Sequence, residues 1–137
     1  MFGTILVAVD NSPQAERAAE LAGQIAAAGD DEVVVLHVIE QHLIQGGTLS
    51  AMTTDDAREL VGRFVTTLHG LGAKARPEVS HALDGYVGRV IASIAEEGGA
   101  GLVVMGSRGR TDLGALLLGS VAHKVLHLAP CPVLIAR

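Results

Sequence analysis

Short apolar runs and helical patterns alternate along the 137 residues of this chain, and this alternation limits the fold more than any other feature. The apolar runs are typical of strands that are covered on both faces of a sheet. Between them, apolar residues recur every three or four positions, which is typical of amphipathic helices. This alternation predicts a parallel sheet with helices on both faces and right-handed crossovers.

The patterns predict five strands and four helices. Ser12 is a suitable N-cap for the first helix, since Pro13 follows in a position where its missing N–H costs nothing. Asp84 is a candidate cap for the third helix. Strands are expected at residues 4–9, 32–39, 74–83, 102–106 and 133–136, and helices at about 13–29, 55–70, 85–97 and 120–128.

Two stretches depart from this regular pattern. Pro77 lies in the third predicted strand, and a proline cannot donate to a central ladder, so this strand belongs at a sheet edge. Residues 40–54 contain Gly46 and Gly47 and show no clear period. We predict a long loop there, of a kind that is usually functional or mobile.

Composition narrows the class of protein. A chain of this length fits one domain, residues 1–137. Its net charge of −5 and its aromatic content of 2% argue against a nucleic-acid partner, which needs a positive face or stacking rings. No apolar run approaches the roughly 18 residues of a membrane span, and no signal peptide is visible. The single cysteine, Cys131, is compatible with a cytoplasmic location.

The most informative motif follows the fourth predicted strand. Gly106 ends the strand, Gly109 follows, and after nine more residues Gly119 and Ser120 open the last helix. Glycines let backbone N–H groups approach a ligand closely, and a helix N-terminus adds unpaired N–H groups and a positive dipole end. The motif therefore predicts a site for a polyphosphate. The alternative is that these residues are only turn glycines and a helix cap.

The spacing Gly106-x-x-Gly109-(nine residues)-Gly119-Ser120 resembles the nucleotide-binding signature of the ATP-binding members of the universal stress protein family. The similarity extends to residues 5–12, 36–38 and 130–135, so it covers the chain. It implies a three-layer α/β/α fold with a doubly wound, five-stranded parallel sheet of order 3-2-1-4-5. Strands one and four would then be neighbours, and their carboxyl ends would meet at one crevice.

The resemblance also implies how ATP, with Mg²⁺, would bind. The main chain of Val38 would hydrogen-bond the adenine edge, and Asp10 would lie at the ribose and the metal side of the phosphates. Ala8 and Val9 would form apolar walls. The nucleotide-binding residues implied in this way are Ala8, Val9, Asp10, Val38, Met105, Gly106, Ser107, Arg108, Gly109, Gly119, Ser120 and Val121.

Several side chains keep a second interpretation. Asp10 could simply cap the turn that follows its strand. Arg108 and Arg110 could neutralise phosphate charge or remain solvated loop residues. His123 and His127 share a helix face, and we predict surface or interface histidines rather than a metal site, because no further ligands are apparent.

These observations favour a stress-related regulatory protein that binds ATP without turning it over. Nucleotide would order residues 108–118 and change the surface that an unidentified protein partner meets. The apolar last strand, residues 133–136, would lie at an edge and pair with a second copy, as the resemblance implies. Two alternatives remain: a slow ATPase or phosphoryl-transfer enzyme with Asp10 as a weak candidate base, and an interaction module that binds no nucleotide.

Overall fold

The computed structural model describes residues 1–107 and 118–137. The strands are β1 (Thr4–Ala8), β2 (Glu32–Ile44), β3 (Gly47–Ser50), β4 (Lys74–Leu83), β5 (Leu102–Gly106) and β6 (Val133–Ala136). The helices are α1 (Pro13–Gly29), α2 (Thr54–Gly70), α3 (Val87–Glu97) and α4 (Ser120–Leu128). None of the helices in these ranges is both long and apolar enough to cross a bilayer.

Five parallel strands form the sheet, in the spatial order β4-β2-β1-β5-β6. This is the expected order 3-2-1-4-5 when the parallel strands alone are counted. β4, which carries Pro77, pairs only with β2 among the described strands, so its predicted edge position is confirmed. β6 likewise pairs only with β5 in this part of the chain.

Alternate residues of the central strands face two cores. Val7 and Val104 pack with α1 and α2 on one face, whereas Leu6 and Val103 pack with α3 and α4 on the other. Each fully buried aliphatic side chain contributes about 1.5–3 kcal/mol. The predicted three-layer α/β/α arrangement is therefore confirmed, and its stability comes from both faces of the sheet.

The predicted loop at residues 40–54 is wrong. β2 continues to Ile44, and β3 returns antiparallel beside it. Residues 45 and 46 form the two-residue turn, and Gly46 adopts a positive φ of 87°, as the second central residue of a type II turn does. The sheet therefore has six strands and is not purely parallel. The sequence signal for this hairpin was the Gln45-Gly46 turn between strand-forming residues. Leu43 and Leu49 are exposed, so the strands showed no alternation of apolar and polar residues that would indicate burial.

The start of α3 also differs from the prediction. Asp84 does not cap this helix, because Tyr86 is the N-cap residue and no side chain makes a capping hydrogen bond. Asp84 instead donates its N–H to the carbonyl of Gln41 in β2 at 2.8 Å. It therefore prolongs the pairing of β4 with β2, and this pairing holds its side chain beside the sheet. Ser12, by contrast, caps α1 as predicted, accepting a hydrogen bond from Ala15 N–H.

Gly101 leaves no room for a side chain. A Cβ there would lie 2.3 Å from the carbonyl oxygen of Phe2, and the Gly101 N–H donates to Thr4 at 2.9 Å. We expect Gly101→Ala to lower the free energy of unfolding by about 2 kcal/mol, because backbone must move to relieve the overlap. Urea unfolding measures this change.

The matched control for Gly101→Ala is Gly62→Ala. Gly62 lies inside α2 with nothing within 4 Å of the new Cβ, so alanine there should stabilise the protein by about 0.5–1 kcal/mol. Equal stability changes at the two glycines would contradict the steric explanation.

Candidate functional site

A cavity of about 1090 Å³ lies at the carboxyl ends of β1 and β5, beside the middle of β2 and where α4 begins. Ala8 and Met105 are register partners there, so the ends of β1 and β5 are adjacent, as an α/β switch point requires. Predicted site residues that line this cavity are Ala8, Val9, Asp10, Val38, Met105, Gly106, Gly119, Ser120 and Val121. Ser107 lies beside the cavity without lining it, and Arg108 and Gly109 lie outside the described residues.

Val38 occupies a gap in the backbone pairing of β2. Two residues before Val38, the Leu36 carbonyl accepts from Val9 N–H at 2.9 Å. Two residues after it, the Glu40 carbonyl accepts from Ala51 N–H at 2.9 Å. Alternate residues of a strand turn their peptide groups to the same edge. The N–H and C=O of Val38 therefore face the cavity edge between these two bonds.

His37 contacts the carbonyl to which a longer ladder would join Val38. Its Nδ1 lies 2.6 Å from the carbonyl oxygen of Val9, so Nδ1 carries the proton and donates. In a continuing parallel ladder that carbonyl would accept the N–H of Val38. The imidazole occupies this carbonyl, and Val38 N–H makes no backbone hydrogen bond to it. His37 also lines the cavity, and sequence reasoning gave it no role there.

The N-terminus of α4 supplies donors to the cavity. Gly119 is its N-cap residue, no side chain caps the helix, and His123 N–H is the donor to Gly119 O at 2.9 Å. The N–H groups of Ser120, Val121 and Ala122 precede that bond, so no intrahelical carbonyl can pair with them. They lie at the positive end of the helix dipole, which favours an anion.

Two of the predicted phosphate-binding amides already have partners. Ser107 N–H donates to the carbonyl of Ala136 at 2.7 Å, and Gly119 N–H donates to the carbonyl of Ser107 at 2.7 Å. These bonds join the end of β5 to β6 and to the start of α4. Both residues position the helix N-terminus by means of their main chain, and the available donors are those of Ser120 and Val121.

Asp10 combines the two interpretations of its sequence position. Its Oδ1 accepts the N–H of Ser12 at 2.8 Å, which fixes the turn between β1 and α1. The half-buried carboxylate also lines the cavity. Because one oxygen can hold the turn while the other is a hard ligand, the group suits Mg²⁺ bound to a polyphosphate.

The side of α4 that borders the cavity carries polar residues that sequence reasoning left out of the site. Among the described residues, Lys124 is the only lysine or arginine that lines the cavity. The rings of His123 and His127, 5.2 Å apart and edge to face, line it as well. Together with Ser120 they recur at i, i+3, i+4 and i+7 of one helix. From this spacing, a stripe of polar residues on one face of the helix could have been predicted from the sequence.

Lys124 is held by a close contact between α3 and α4. A Cβ on Gly88 would lie 2.7 Å from Lys124 Cβ and 3.2 Å from the carbonyl oxygen of Val121. Gly88 therefore lets the first turns of α4 lie directly on α3, with the stem of Lys124 packed over the glycine. The position of this cation depends on helix packing.

The β2–β3 hairpin forms another wall of the cavity. Gln41 pairs with Leu83 of β4 and also with Ser50 of β3, so these two strands lie on opposite edges of β2. β3 consequently lies on the β1 side, beyond the end of β1, and Ala51 and Met52 line the cavity. Part of the stretch that was predicted as a loop is thus a structured hairpin beside the cavity.

Glu40 is the second carboxylate of the cavity wall. Burial and the neighbouring Asp84 carboxylate raise the pKa of Glu40 above its usual range, and the His42 imidazole partly opposes this effect. Asp10 and Glu40 are therefore the two carboxylates that line the described part of the cavity, which Lys124 of α4 also lines.

Comparison with known proteins identifies the family of the chain. The sequence model of the universal stress protein family matches residues 1–137. Universal stress protein YxiE of Bacillus subtilis is 32% identical over 148 aligned residues, and the match covers 100% of both chains.

Solved structures show the same fold. A universal stress protein from Archaeoglobus fulgidus superposes with a TM-score of 0.79 at 28% identity, covering 100% of both chains. An Archaeoglobus fulgidus universal stress protein in complex with dAMP has a TM-score of 0.74 at 26% identity, covering 99% of this chain and 98% of the other. The chain described here is thus a member of the universal stress protein family.

Proposed function

We propose that this protein binds ATP with Mg²⁺ in the cavity between β1, β5 and α4, and acts as a stress-related switch by binding rather than turnover. Residues 1–137 would form one nucleotide-binding domain. The observation that carries the proposal is the gap in the ladder at Val38, since it offers one donor and one acceptor on a single edge. An adenine presents the complementary pair through a ring nitrogen and its exocyclic amine.

The remainder of the site suits the rest of the nucleotide. Val9 and Met105 are buried apolar residues at the strand ends, while the unpaired amides of Ser120 and Val121 lie where phosphates can accept from them. The relative in complex with dAMP supports an adenine nucleotide as the ligand class.

Binding rather than turnover is proposed from the position of Asp10. Within the described residues, Asp10 is the weak candidate base: one of its oxygens accepts from Ser12 N–H, and the other would be a ligand of Mg²⁺. A base that activates water or a hydroxyl must be able to take its proton. The predicted ordering of residues 108–118 by nucleotide falls largely outside the described residues and remains part of the proposal.

We also propose that two copies pair along β6. Val133, Leu134 and Ile135 are only half-buried, and β6 leaves its outer edge open among the described strands. An apolar edge of this kind requires cover. The protein partner would then meet a dimer, and a cytoplasmic location remains the prediction that the single cysteine favours.

Asp10→Asn tests the metal part of the proposal. The amide keeps an oxygen for Ser12 N–H but removes the charge, so we expect the enhancement of ATP affinity by Mg²⁺ to fall about tenfold, a loss of roughly 1.4 kcal/mol. Isothermal titration calorimetry with ATP, with and without Mg²⁺, measures the enhancement.

Two further variants show whether the result for Asp10→Asn comes from the site or from a general change of charge or stability. Asp55→Asn removes the same charge from an exposed position on α2 and should leave the enhancement intact. Asp10→Ala should also lower the melting temperature, because the turn loses an acceptor. Wild-type protein that binds no adenine nucleotide would favour the interaction-module alternative, whereas steady ATP hydrolysis that Asp10→Asn abolishes would favour the enzyme.

A further inference from the structure

A second group of ligand-type side chains lies where the hairpin meets the end of β4. Glu40 and His42 are in β2, and Asp84 directly follows β4. His42 Nε2 is 3.5 Å from Glu40 Oε1, and His42 Nδ1 is 3.6 Å from Asp84 Oδ2. One ligand atom from each of the three residues lies within 4.8 Å of the others. The family resemblance and the proposed nucleotide site assign nothing to this group.

Hydrogen-bonded sheet backbone holds the three residues together. Glu40 and His42 are two positions apart in a strand, so their side chains share a face. The Asp84 N–H donates to the Gln41 carbonyl at 2.8 Å, and the Glu40 carbonyl accepts from Ala51 N–H at 2.9 Å. The main chain therefore fixes the positions of the three ligand residues. Rotation of their side chains would bring the ligand atoms to one metal ion.

The charges of the group favour a cation. It holds two carboxylates and one imidazole, and within the described residues neither carboxylate forms an ion pair with a lysine or arginine. One histidine nitrogen with two carboxylate oxygens is a donor set for Zn²⁺ and similar divalent metals, which bind nitrogen and oxygen at about 2.0–2.2 Å. Mg²⁺ prefers oxygen ligands and suits this set less well.

We propose that Glu40, His42 and Asp84 form a Zn²⁺ site with one ligand atom from each residue and water in the remaining position. The metal would fasten the β2–β3 hairpin to the end of β4, beside the cavity that Glu40 also lines. This inference does not depend on nucleotide binding, because its three ligands are complete without one.

Zn²⁺ titration of the full chain, stripped of metal and free of nucleotide, tests the site. Calorimetry should show one Zn²⁺ per chain with a micromolar dissociation constant. His42→Ala, Glu40→Gln and Asp84→Asn should each weaken binding about tenfold or more. Co²⁺ should give the visible absorption of a protein-bound ion, and this absorption should be lost in His42→Ala. Circular dichroism should show that the variants remain folded.

His81→Ala is the matched control, because His81 is an exposed histidine of β4 outside the group. It should bind Zn²⁺ as the wild type does. The site is disproved if the wild type binds no Zn²⁺ at millimolar concentration, if His42→Ala keeps wild-type affinity, or if His81→Ala loses as much as His42→Ala.

Discussion

Lys124→Met is expected to weaken ATP binding by about 10- to 100-fold while leaving the melting temperature nearly unchanged. A charged hydrogen bond to a phosphate contributes about 1.5–3 kcal/mol, and Lys124 is the only lysine or arginine that lines the described part of the cavity. Methionine keeps an unbranched stem over Gly88, so the packing of α4 on α3 should persist. Calorimetric titration with ATP measures the loss.

The ligand series distinguishes a phosphate contact from a general defect. Adenosine lacks phosphates, so its affinity should be unchanged in Lys124→Met, and AMP should lose less than ATP. The chain has one other lysine, Lys74, which is exposed and pairs with Asp30 on the surface at 3.0 Å. Lys74→Met changes the net charge equally and should bind all three ligands normally. An equal loss for adenosine and ATP would show that Lys124 supports the fold of the site instead.

His37→Phe is expected to weaken adenosine, AMP and ATP alike by about tenfold, the value of one hydrogen bond that is lost to a competitor. Without the Nδ1 donor, the Val9 carbonyl becomes available to Val38 N–H, and the ladder between β1 and β2 can close by one more bond. The N–H of Val38 would then already be hydrogen-bonded and could not donate to the adenine edge. Calorimetry with the same three ligands measures this loss.

His37→Asn is the matched variant, because its side-chain amide nitrogen can take the place of imidazole Nδ1. It should retain most of the affinity that His37→Phe loses. The two variants at His37 and Lys124 also separate base from phosphate recognition, since only the second depends on the number of phosphates. Normal adenosine binding by His37→Phe would contradict the role given to the histidine.

Several elements could be predicted because their signals are local. Continuous apolar runs and the helical spacing located the strands and helices that pack against both faces of the sheet, and Pro77 placed β4 at an edge. The hairpin at residues 40–50 escaped prediction because it projects from the core. Exposed Leu43 and Leu49 carry no burial pattern, so only the Gly46 turn marked it.

The location of the site, near the ends of neighbouring strands, could be predicted from the sequence and the family resemblance. Asp10 follows the end of β1 and Ser120 opens α4, as predicted, whereas Val38 lies inside β2, which continues to Ile44. The structure brings all three to one cavity. The sequence could not show which amides are available. Ser107 and Gly119 N–H have carbonyl partners in Ala136 and Ser107, and these partners depend on neighbouring chain segments.

The alternation of apolar runs and helical patterns therefore determined the layers of this protein and most of its elements along the chain, because periodicity and turn residues act over a few positions. The crevice where β1 and β5 end was expected from the family resemblance. Tertiary structure decided that His37 contacts the Val9 carbonyl beside Val38, that Gly88 lets Lys124 pack against α3, and that residues next to the hairpin line the cavity. These features depend on contacts between residues that are distant in the chain. Such a hydrogen bond or close approach leaves no periodic pattern in the sequence from which it could be predicted.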